Sequence, residues 1–298
     1  MRLLRTPEDR FVDLPGYAFE PHYATVGDGI RVHYLDEGPA DGDVVVLMHG
    51  EPSWSYLYRT MVPRLVDAGL RVVAPDLVGF GKSDKPADRA DCTYARHVAW
   101  MSDLLVEHLD LTAATLVGQD WGGLIGLRVV ASAPARFARL VVANTGLPTG
   151  DQRMSDAFRA WQTYAETSPT FPIGRIVAGG CAEPLEEAVA AAYDAPFPDA
   201  SYKEAARIFP SLVPTTPDDP AAADNRAAWE VLRRWDKPLL CAFSDRDMIT
   251  AGGDKPFREL VPGAAGQPHV TIEGGGHFLQ EDRGPEFARA IVTFLGRS

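Results

Sequence analysis

The segment at residues 116–123, Leu-Val-Gly-Gln-Asp-Trp-Gly-Gly, most narrowly limits the folds open to this chain. It follows an apolar run typical of a buried strand and precedes a helical stretch at 124–131. Within it, glycines flank a central aspartate as Gly118-x-Asp120-x-Gly122. Such glycines permit the strained strand–turn–helix of a nucleophile elbow, which raises its central side chain above a sheet. The competing interpretation is an ordinary Asx-type turn after a strand, because Asp and Gly both favour turns.

The central residue of this turn is a carboxylate, where the familiar version of the turn carries a serine. A serine must lose a proton before it attacks, whereas an aspartate is already an anion at neutral pH. Asp120 can therefore attack a saturated carbon directly and form an ester with the enzyme. This chemistry favours carbon–halogen bonds or epoxides over ordinary esters.

Before residue 148 and after about residue 224, apolar runs alternate with amphipathic stretches. The strand-like runs lie at 44–48, 71–74, 115–117, 140–143, 238–243 and 269–273. Amphipathic stretches at 57–68 and 97–109 separate the early runs, and a helix is predicted at 285–295. This alternation predicts an α/β fold with a largely parallel sheet and helices on both faces.

The alternation stops from 148 to about 224, where no apolar strand pattern occurs. This region is rich in Ala, Pro and aromatic residues, with proline-bearing turns between helix-like pieces. Those pieces lie at 154–166, 185–193 and 202–208. We interpret the region as a helical cap inserted between two strands of the sheet. The predicted division is a core domain of residues 1–147 and 227–298 and a cap domain of residues 148–226.

Composition narrows the class of protein further. A formal net charge of −12 disfavours nucleic acid and anionic membranes as partners. No apolar run reaches the ~18 residues of a membrane helix, and the first residues lack a signal-peptide pattern. Three cysteines without a CxxC pair indicate reduced thiols and disfavour a metal site or a disulfide framework. We expect a cytoplasmic enzyme, and nothing in the sequence requires more than a monomer.

A histidine follows the last predicted strand in a glycine turn, Gly274-Gly275-Gly276-His277. The carboxyl ends of strands form the ligand site of open α/β sheets, so His277 and Asp120 are expected at the same edge. Histidine is the side chain best suited to accept a proton from water near neutral pH. Its competing interpretation is a capping or loop histidine.

The acid that supports this histidine is expected after the preceding strand, where Asp245 and Asp247 both lie. Asp247 stands deeper in the loop and is favoured, whereas Asp245 can cap the turn or pair with Arg246. Asp247 would orient the imidazole and stabilise the imidazolium. Nucleophile, acid and histidine then follow one another in the chain order of hydrolases that carry this elbow.

Backbone donors for an oxyanion are predicted at two positions. The loop after the strand at 44–48 reads His49-Gly50-Glu51-Pro52, and in this fold the equivalent loop provides one N–H. Pro52 has no N–H, so the donor is Glu51. The residue after the nucleophile, Trp121, would provide the second donor.

Taken together, these segments resemble the haloalkane dehalogenases of the α/β-hydrolase superfamily. The matching stretches lie at 49–59, 76–86, 118–123 and, within the predicted cap, 195–202. The similarity extends from about residue 19 to residue 294. It implies an α/β-hydrolase fold with a mostly parallel, eight-stranded sheet. It also implies hydrolysis of haloalkanes to a primary alcohol, a halide and a proton, without a metal or an organic cofactor.

The resemblance also implies a halide site formed by two N–H donors. One donor would be the indole of Trp121, since an indole N–H can only donate. In one subgroup the second donor is an asparagine directly after His-Gly, but Glu51 stands there and would repel a halide when ionised. The subgroup with a second tryptophan in the cap points to Trp161. Packing in the cap interior is the competing interpretation of Trp161, and core or interface roles suit Trp54, Trp100, Trp229 and Trp235.

Three other functions compete with this one. An epoxide hydrolase uses the same aspartate–histidine–acid set, with phenolic donors for which Tyr164, Tyr193 and Tyr202 are available. A fluoroacetate-type dehalogenase would carry an arginine at the position of Trp121. A non-catalytic binding module would be expected to have lost a member of the triad. The partners expected for the favoured reading are a small halogenated aliphatic substrate, water and the halide product.

Overall fold

The computed structural model describes residues 1–296, and it contains ten strands in that part of the chain. The strands are β1 (Leu3–Leu4), β2 (His22–Val26), β3 (Ile30–Glu37), β4 (Asp43–Met48), β5 (Leu70–Pro75), β6 (Lys85–Pro86), β7 (Ala114–Gln119), β8 (Phe137–Ala143), β9 (Leu239–Ser244) and β10 (Val270–Ile272). Strands β1 and β6 form a separate antiparallel pair.

The other eight strands form one sheet in the order β10-β9-β8-β7-β4-β5-β3-β2. Strand β3 is antiparallel to both of its neighbours, and the pairs from β5 to β10 are parallel. The central strands are runs of aliphatic residues because both faces of the sheet are covered. The predicted mostly parallel, eight-stranded α/β-hydrolase sheet is confirmed.

Ten α-helices surround or cover this sheet in the described residues. They are α1 (Val62–Asp67), α2 (Tyr94–Ser102), α3 (Trp121–Ser132), α4 (Asp156–Thr167), α5 (Ile173–Gly180), α6 (Glu187–Asp194), α7 (Glu204–Leu212), α8 (Ala222–Leu232), α9 (Asp254–Leu260) and α10 (Leu279–Phe294). Helix α2 continues into a π-helical turn at Asp103–His108. Helix α10 begins six residues before the predicted 285, with non-helical dihedrals at Arg283.

Five helices, α4 to α8, lie in sequence between β8 and β9, and none of the described residues between them forms a strand. Helices α5 and α6 pack together closely, since a Cβ at Gly174 would lie 2.1 Å from the carbonyl oxygen of Ala190. The predicted end of the cap at residue 226 falls inside α8, which also packs against α3 of the core. The division into 1–147 with 227–298 and 148–226 stays a prediction, and a boundary before α8 fits the helix better.

A buried ion pair joins this helical region to the core. Arg59 and Glu281 are paired through both terminal guanidinium nitrogens, and the hydroxyl of Tyr193 on α6 donates to the same carboxylate. Since α10 carries Glu281, the contact connects α6 to the last helix of the chain. Within residues 1–296, no helix combines the length and the apolar character needed to cross a membrane.

Candidate active site

Asp120 stands in the turn between β7 and α3 with φ 50° and ψ −126°. The positive φ is strained for a residue with a Cβ, and the surrounding glycines make the turn sterically possible. A Cβ at Gly122 would lie 1.9 Å from the carbonyl oxygen of Met48, and one at Gly118 would lie 2.6 Å from the Cα of Gly123. The turn therefore has the close approach that the glycine spacing predicts.

The loop after β4 touches the Asp120 side chain through one of the two predicted backbone donors. The N–H of Glu51 donates to Oδ1 of Asp120 at 2.8 Å. Among the described residues, no hydrogen bond joins the N–H of Trp121 to this carboxylate. The loop is held by His49, whose Nε2 accepts from the N–H of Leu77 at 2.9 Å. Oδ1 of Asp120 is thus held by a backbone N–H, and Oδ2 faces His277.

His277 lies between two carboxylates. Its Nδ1 is 3.1 Å from Oδ2 of Asp247, and its Nε2 is 3.5 Å from Oδ2 of Asp120. The two ring nitrogens therefore face opposite partners, as a base and its orienting acid require. Asp245 is not part of this contact, because it is exposed and its Oδ1 accepts from the N–H of Gly274.

The environment of Asp247 keeps it ionised. Burial alone would raise its pKa, but the charge of His277 and hydrogen bonds from His277, Thr250 and Ile249 outweigh burial and lower the pKa to about 2. The N–H of Ile249 donates to Oδ1 at 2.8 Å. Asp247 is thus an anion over the whole neutral range.

The same arrangement favours the protonated imidazole. Burial lowers the pKa of His277, but the charges of Asp247 and Asp120 and the hydrogen bonds with them raise it to about 10. The protonated state is coupled to the charge on Asp120. Removal of that charge by ester formation would lower the pKa again.

Two buried amides also hold the histidine, and sequence reasoning did not find either of them. Gln119 donates from Nε2 to the carbonyl oxygen of His277 at 3.1 Å, and Asn144 donates from Nδ2 to the same oxygen at 3.1 Å. From the helical region, the carbonyl oxygen of Gly180 accepts from the N–H of His277 at 2.7 Å. Gln119 directly precedes Asp120, and Asn144 directly follows β8, which are the only local signals in the sequence.

A cavity of about 1060 Å³ lies over these groups. Its walls include Asp120, His277, Glu51, Trp121 and Trp161, so the structure brings five of the six predicted site residues to one cavity. Asp247 contacts the imidazole of His277 and does not line the cavity. Helices α3, α4, α5 and α8 all contribute to the walls, which places these side chains between the sheet and the helical region.

The two predicted halide donors both line the cavity, Trp121 from α3 and Trp161 from α4. Trp121 packs its ring on Phe209 at 4.6 Å between ring centroids, and among the described residues its indole N–H has no acceptor. Trp161, on α4, stacks on Tyr164 and Phe171 with centroids 5.8 and 5.6 Å away. The Trp229 indole also lines the cavity, but its N–H already donates to the carbonyl oxygen of Leu147 at 2.7 Å.

The sequence suggests that Glu51, when ionised, would repel a halide, but its carboxyl is buried in the structure. Its pKa is raised well above the usual range, first because the group is buried and second because Asp120 repels the charge. The charge of His277 acts against this rise without cancelling it. Burial and the charge of Asp120 thus disfavour the ionised form of Glu51, which is the form that would repel a halide.

The phenols required by an epoxide hydrolase are mostly elsewhere. Tyr164 lines the cavity, whereas Tyr193 is fully buried and donates to Glu281. Tyr202 is outside the cavity walls.

Comparisons of the sequence and of the structure with known proteins point to the same family. A sequence model described as the alpha/beta hydrolase fold matches residues 43–284. The chain is 56% identical to a haloalkane dehalogenase of Psychrobacter cryohalolentis, over 99% of this chain and 98% of that protein. It is 34% identical to a cis-3-alkyl-4-alkyloxetan-2-one decarboxylase of Xanthomonas campestris, over 95% of this chain and 98% of that protein.

Among solved structures, the tetrameric haloalkane dehalogenase DpaA from Paraglaciecola agarilytica superposes with a TM-score of 0.90 at 38% identity. The match covers 97% of each chain. The identity to the dehalogenase relative is far above the identity to the decarboxylase, so the comparison separates activities that share one fold.

Proposed function

The chain belongs to the haloalkane dehalogenases of the α/β-hydrolase fold, and we propose which of its residues perform the reaction. It is a hydrolase that acts on carbon–halogen bonds, giving an alcohol, a halide and a proton from a haloalkane and water. The observation that carries the residue assignment is the position of His277. Its imidazole is within 3.5 Å of Asp120 and 3.1 Å of Asp247, and both His277 and the carboxylate of Asp120 line the cavity.

In the first half-reaction, Oδ2 of Asp120 attacks the carbon that bears the halogen. The new carbon–oxygen bond forms as the carbon–halogen bond breaks, and the halide leaves with the bonding electrons. The indole N–H groups of Trp121 and Trp161 donate to the charge that develops on the halogen. The primary carbon of a haloalkane allows this attack from behind, and the product is an alkyl ester of Asp120.

In the second half-reaction, His277 takes a proton from water through Nε2 while the water oxygen attacks the carbonyl carbon of the ester. The N–H of Glu51 holds the oxygen that becomes negative, and the N–H of Trp121 is the second donor in this proposal. The intermediate then collapses with release of the alcohol, which receives its proton from the imidazolium. The regenerated carboxyl of Asp120 releases the remaining proton of the water and becomes an anion again. Asp247 stabilises that imidazolium without taking the proton.

One comparison of substrates tests the activity against its nearest rival. With 1,2-dibromoethane the purified protein is expected to release bromide and acid continuously, and with styrene oxide it is expected to form no diol. The reverse pattern would identify an epoxide hydrolase. The support for a dehalogenase within this site is that Tyr164 is the only one of the three tyrosines on the cavity wall, among the residues described.

The remaining expectations stay predictions of this proposal. A monomer, a cytoplasmic location and independence from metals and organic cofactors were expected from the sequence. The similar DpaA protein is tetrameric, so light scattering coupled to size-exclusion chromatography must distinguish one chain from four. Activity after dialysis against a chelator tests the expected independence from metals.

A further inference from the structure

The carbonyl group of His277 is held by amides of the core, whereas its N–H is held by the helical region. This N–H donates to the carbonyl oxygen of Gly180 at 2.7 Å, and the N–H of Phe278 donates to the same oxygen at 3.4 Å. Gly180 is the last residue of α5, and it also lines the reaction cavity. The direction of the imidazole therefore depends on how the loop of His277 is held against the end of α5.

One carboxylate joins the two sides of this junction. Asp282, in the first turn of α10, accepts the N–H of Gly276 at 2.8 Å through Oδ2. The same oxygen accepts the N–H of Ala182 at 2.9 Å, and Oδ1 accepts the N–H of Glu183 at 3.0 Å. Gly276 directly precedes His277, and the other two donors lie just after α5. Asp282 thus connects the loop of the histidine to the end of a helix that lines the cavity.

The junction is closely packed. A Cβ at Gly276 would lie 2.5 Å from the carbonyl oxygen of Gly180 and 2.7 Å from the nitrogen of Ala182. A Cβ at Gly180 would lie 2.7 Å from the ring of Phe278. Hydrogen bonds to an ionised carboxylate are stronger than those between neutral groups, and three backbone N–H groups would lose this acceptor without Asp282.

The nucleophile is held by other contacts. Oδ1 of Asp120 accepts the N–H of Glu51 at 2.8 Å, and the N–H of Asp120 donates to the carbonyl oxygen of Asn144 at 3.0 Å. Among the described residues, no hydrogen bond joins Asp282 to any of these groups. Loss of the Asp282 carboxylate should therefore displace His277 and leave the nucleophile in place.

We propose that Asp282 is a positioning residue of the hydrolytic half-reaction, which fixes the backbone of His277 against the end of α5; this rests on the proposed function. Asp282 does not line the cavity, exchanges no proton and acts only through His277. It keeps Nε2 of His277 directed at the ester of Asp120, where a misplacement of about 1 Å can cost on the order of a hundredfold in rate. Alkylation of Asp120 does not depend on this contact, because a carboxylate attacks without a base.

Two substitutions test this role, and a third is their control. Asp282→Asn keeps the size of the side chain but replaces one acceptor oxygen with an NH₂ group, which only donates. Asp282→Glu keeps both oxygens and moves them by one methylene. Asp219→Asn is the matched control, because Asp219 is also a partly exposed carboxylate that accepts two backbone N–H groups, and it lies outside the cavity wall.

Rapid-quench experiments with 1,2-dibromoethane measure the bromide burst, the release of 2-bromoethanol and, by mass spectrometry, the ester on Asp120. For Asp282→Asn we expect a burst rate within about threefold of the unchanged enzyme, since alkylation needs no base. Ester hydrolysis should slow roughly ten- to hundredfold, so that the ester accumulates. Asp282→Glu should lose less, again in hydrolysis alone, and Asp219→Asn should match the unchanged enzyme in both steps. If Asp282→Asn does not fold, Asp282→Glu must still slow hydrolysis by a larger factor than the burst.

Several outcomes would overturn the proposal. A folded Asp282→Asn protein that hydrolyses the ester at the normal rate would refute it. Equal slowing of both half-reactions would assign Asp282 to the stability of the fold, and the same selective loss in Asp219→Asn would show that the effect is not specific to this junction. Failure of the unchanged enzyme to release bromide at all would instead be failure of the proposed function.

Discussion

Nε2 of His277 lies 3.5 Å from Oδ2 of Asp120, so the proposed base faces the oxygen that would carry the alkyl group. Burial alone lowers the pKa of His277, whereas its two carboxylate neighbours raise it to about 10. An ester at Asp120 carries no negative charge, so its formation removes part of what holds the proton on the imidazole. Alkylation of Asp120 should therefore favour the neutral form of His277 in the half-reaction that needs a base.

This coupling predicts different pH profiles for the two half-reactions. Ester hydrolysis should become faster as pH rises through the pKa of His277 in the alkyl-enzyme, since only the neutral imidazole accepts a proton. That pKa must lie below the value of about 10 in the free enzyme, because the ester has removed the charge of Asp120. The bromide burst should lack this rise, because it requires only the carboxylate of Asp120. Single-turnover measurements between about pH 6 and about pH 9 check both profiles. Hydrolysis that slows as pH rises over this range would contradict the assignment of His277 as base.

Replacing the base should separate the half-reactions completely. His277→Phe is expected to release one equivalent of bromide from a bromoalkane and then stop, because alkylation of Asp120 needs no base. Mass spectrometry should find the alkyl group on the peptide that contains Asp120. Asp120→Ala is the control and should give neither bromide nor adduct. A folded His277→Phe protein that remains unmodified would count heavily against a covalent ester.

The two candidate acids can be distinguished by neutral substitutions. Asp247→Asn removes the charge that stabilises the imidazolium, and we expect turnover to fall by a factor on the order of 10³–10⁴. Asp245→Asn should reduce it only slightly, because that side chain is exposed and accepts from the N–H of Gly274. Steady-state rates with 1,2-dibromoethane make the comparison. A larger loss in Asp245→Asn would exchange the two roles.

Much of the sheet was predictable because its strands are uninterrupted aliphatic runs that only a doubly covered sheet explains. The elbow was predictable for a related reason, since the glycines around Asp120 are required by backbone contacts as close as 1.9 Å. Helix α5 was not predicted: it is eight residues long, follows a proline and ends in two glycines, so its local signal is weak.

Side-chain partners across the sheet could not be predicted in the same way. Gln119 and Asn144 both hold His277, although neither shows periodicity or a motif that points to a histidine far along the chain. The raised pKa of Glu51 could not be predicted from the sequence either, because it depends on burial of the carboxyl and on the nearby charge of Asp120. Contacts that depend on tertiary packing are the part that needs the structure.

The contact between Tyr193 and Glu281 predicts a change in stability without a change in chemistry. Tyr193→Phe deletes a hydroxyl that donates to a buried carboxylate, which should cost about 1.5–3 kcal/mol. Thermal unfolding should show a Tm lower by several degrees, at roughly 2–4 °C per kcal/mol. Tyr202→Phe is the control, since the hydroxyl of Tyr202 has no hydrogen-bond partner among the described residues. Loss of dehalogenation in the folded Tyr193→Phe protein would instead implicate this phenol in catalysis.

The sharpest prediction concerns Trp161, since it distinguishes a halide site from aromatic packing in the cap. If the indoles of Trp121 and Trp161 both donate to one anion, bromide or iodide should quench tryptophan fluorescence saturably. Trp161→Phe keeps an aromatic ring and deletes the donor. A hydrogen bond to a charged group contributes roughly 1.5–3 kcal/mol, so halide binding should weaken by about ten- to a hundredfold.

Carbon–halogen cleavage should slow by a similar factor in Trp161→Phe, because the same N–H meets the charge that develops on the leaving halogen. The matched control is Trp229→Phe, which alters a tryptophan on the wall of the same cavity. Its N–H is already bonded to Leu147, so this change should affect stability more than halide affinity. Unchanged quenching and unchanged dehalogenation in Trp161→Phe would mean that Trp161 only packs against Phe171 and Tyr164. The second halide donor would then have to be sought among the other groups on the cavity wall, with Tyr164 as the next to test.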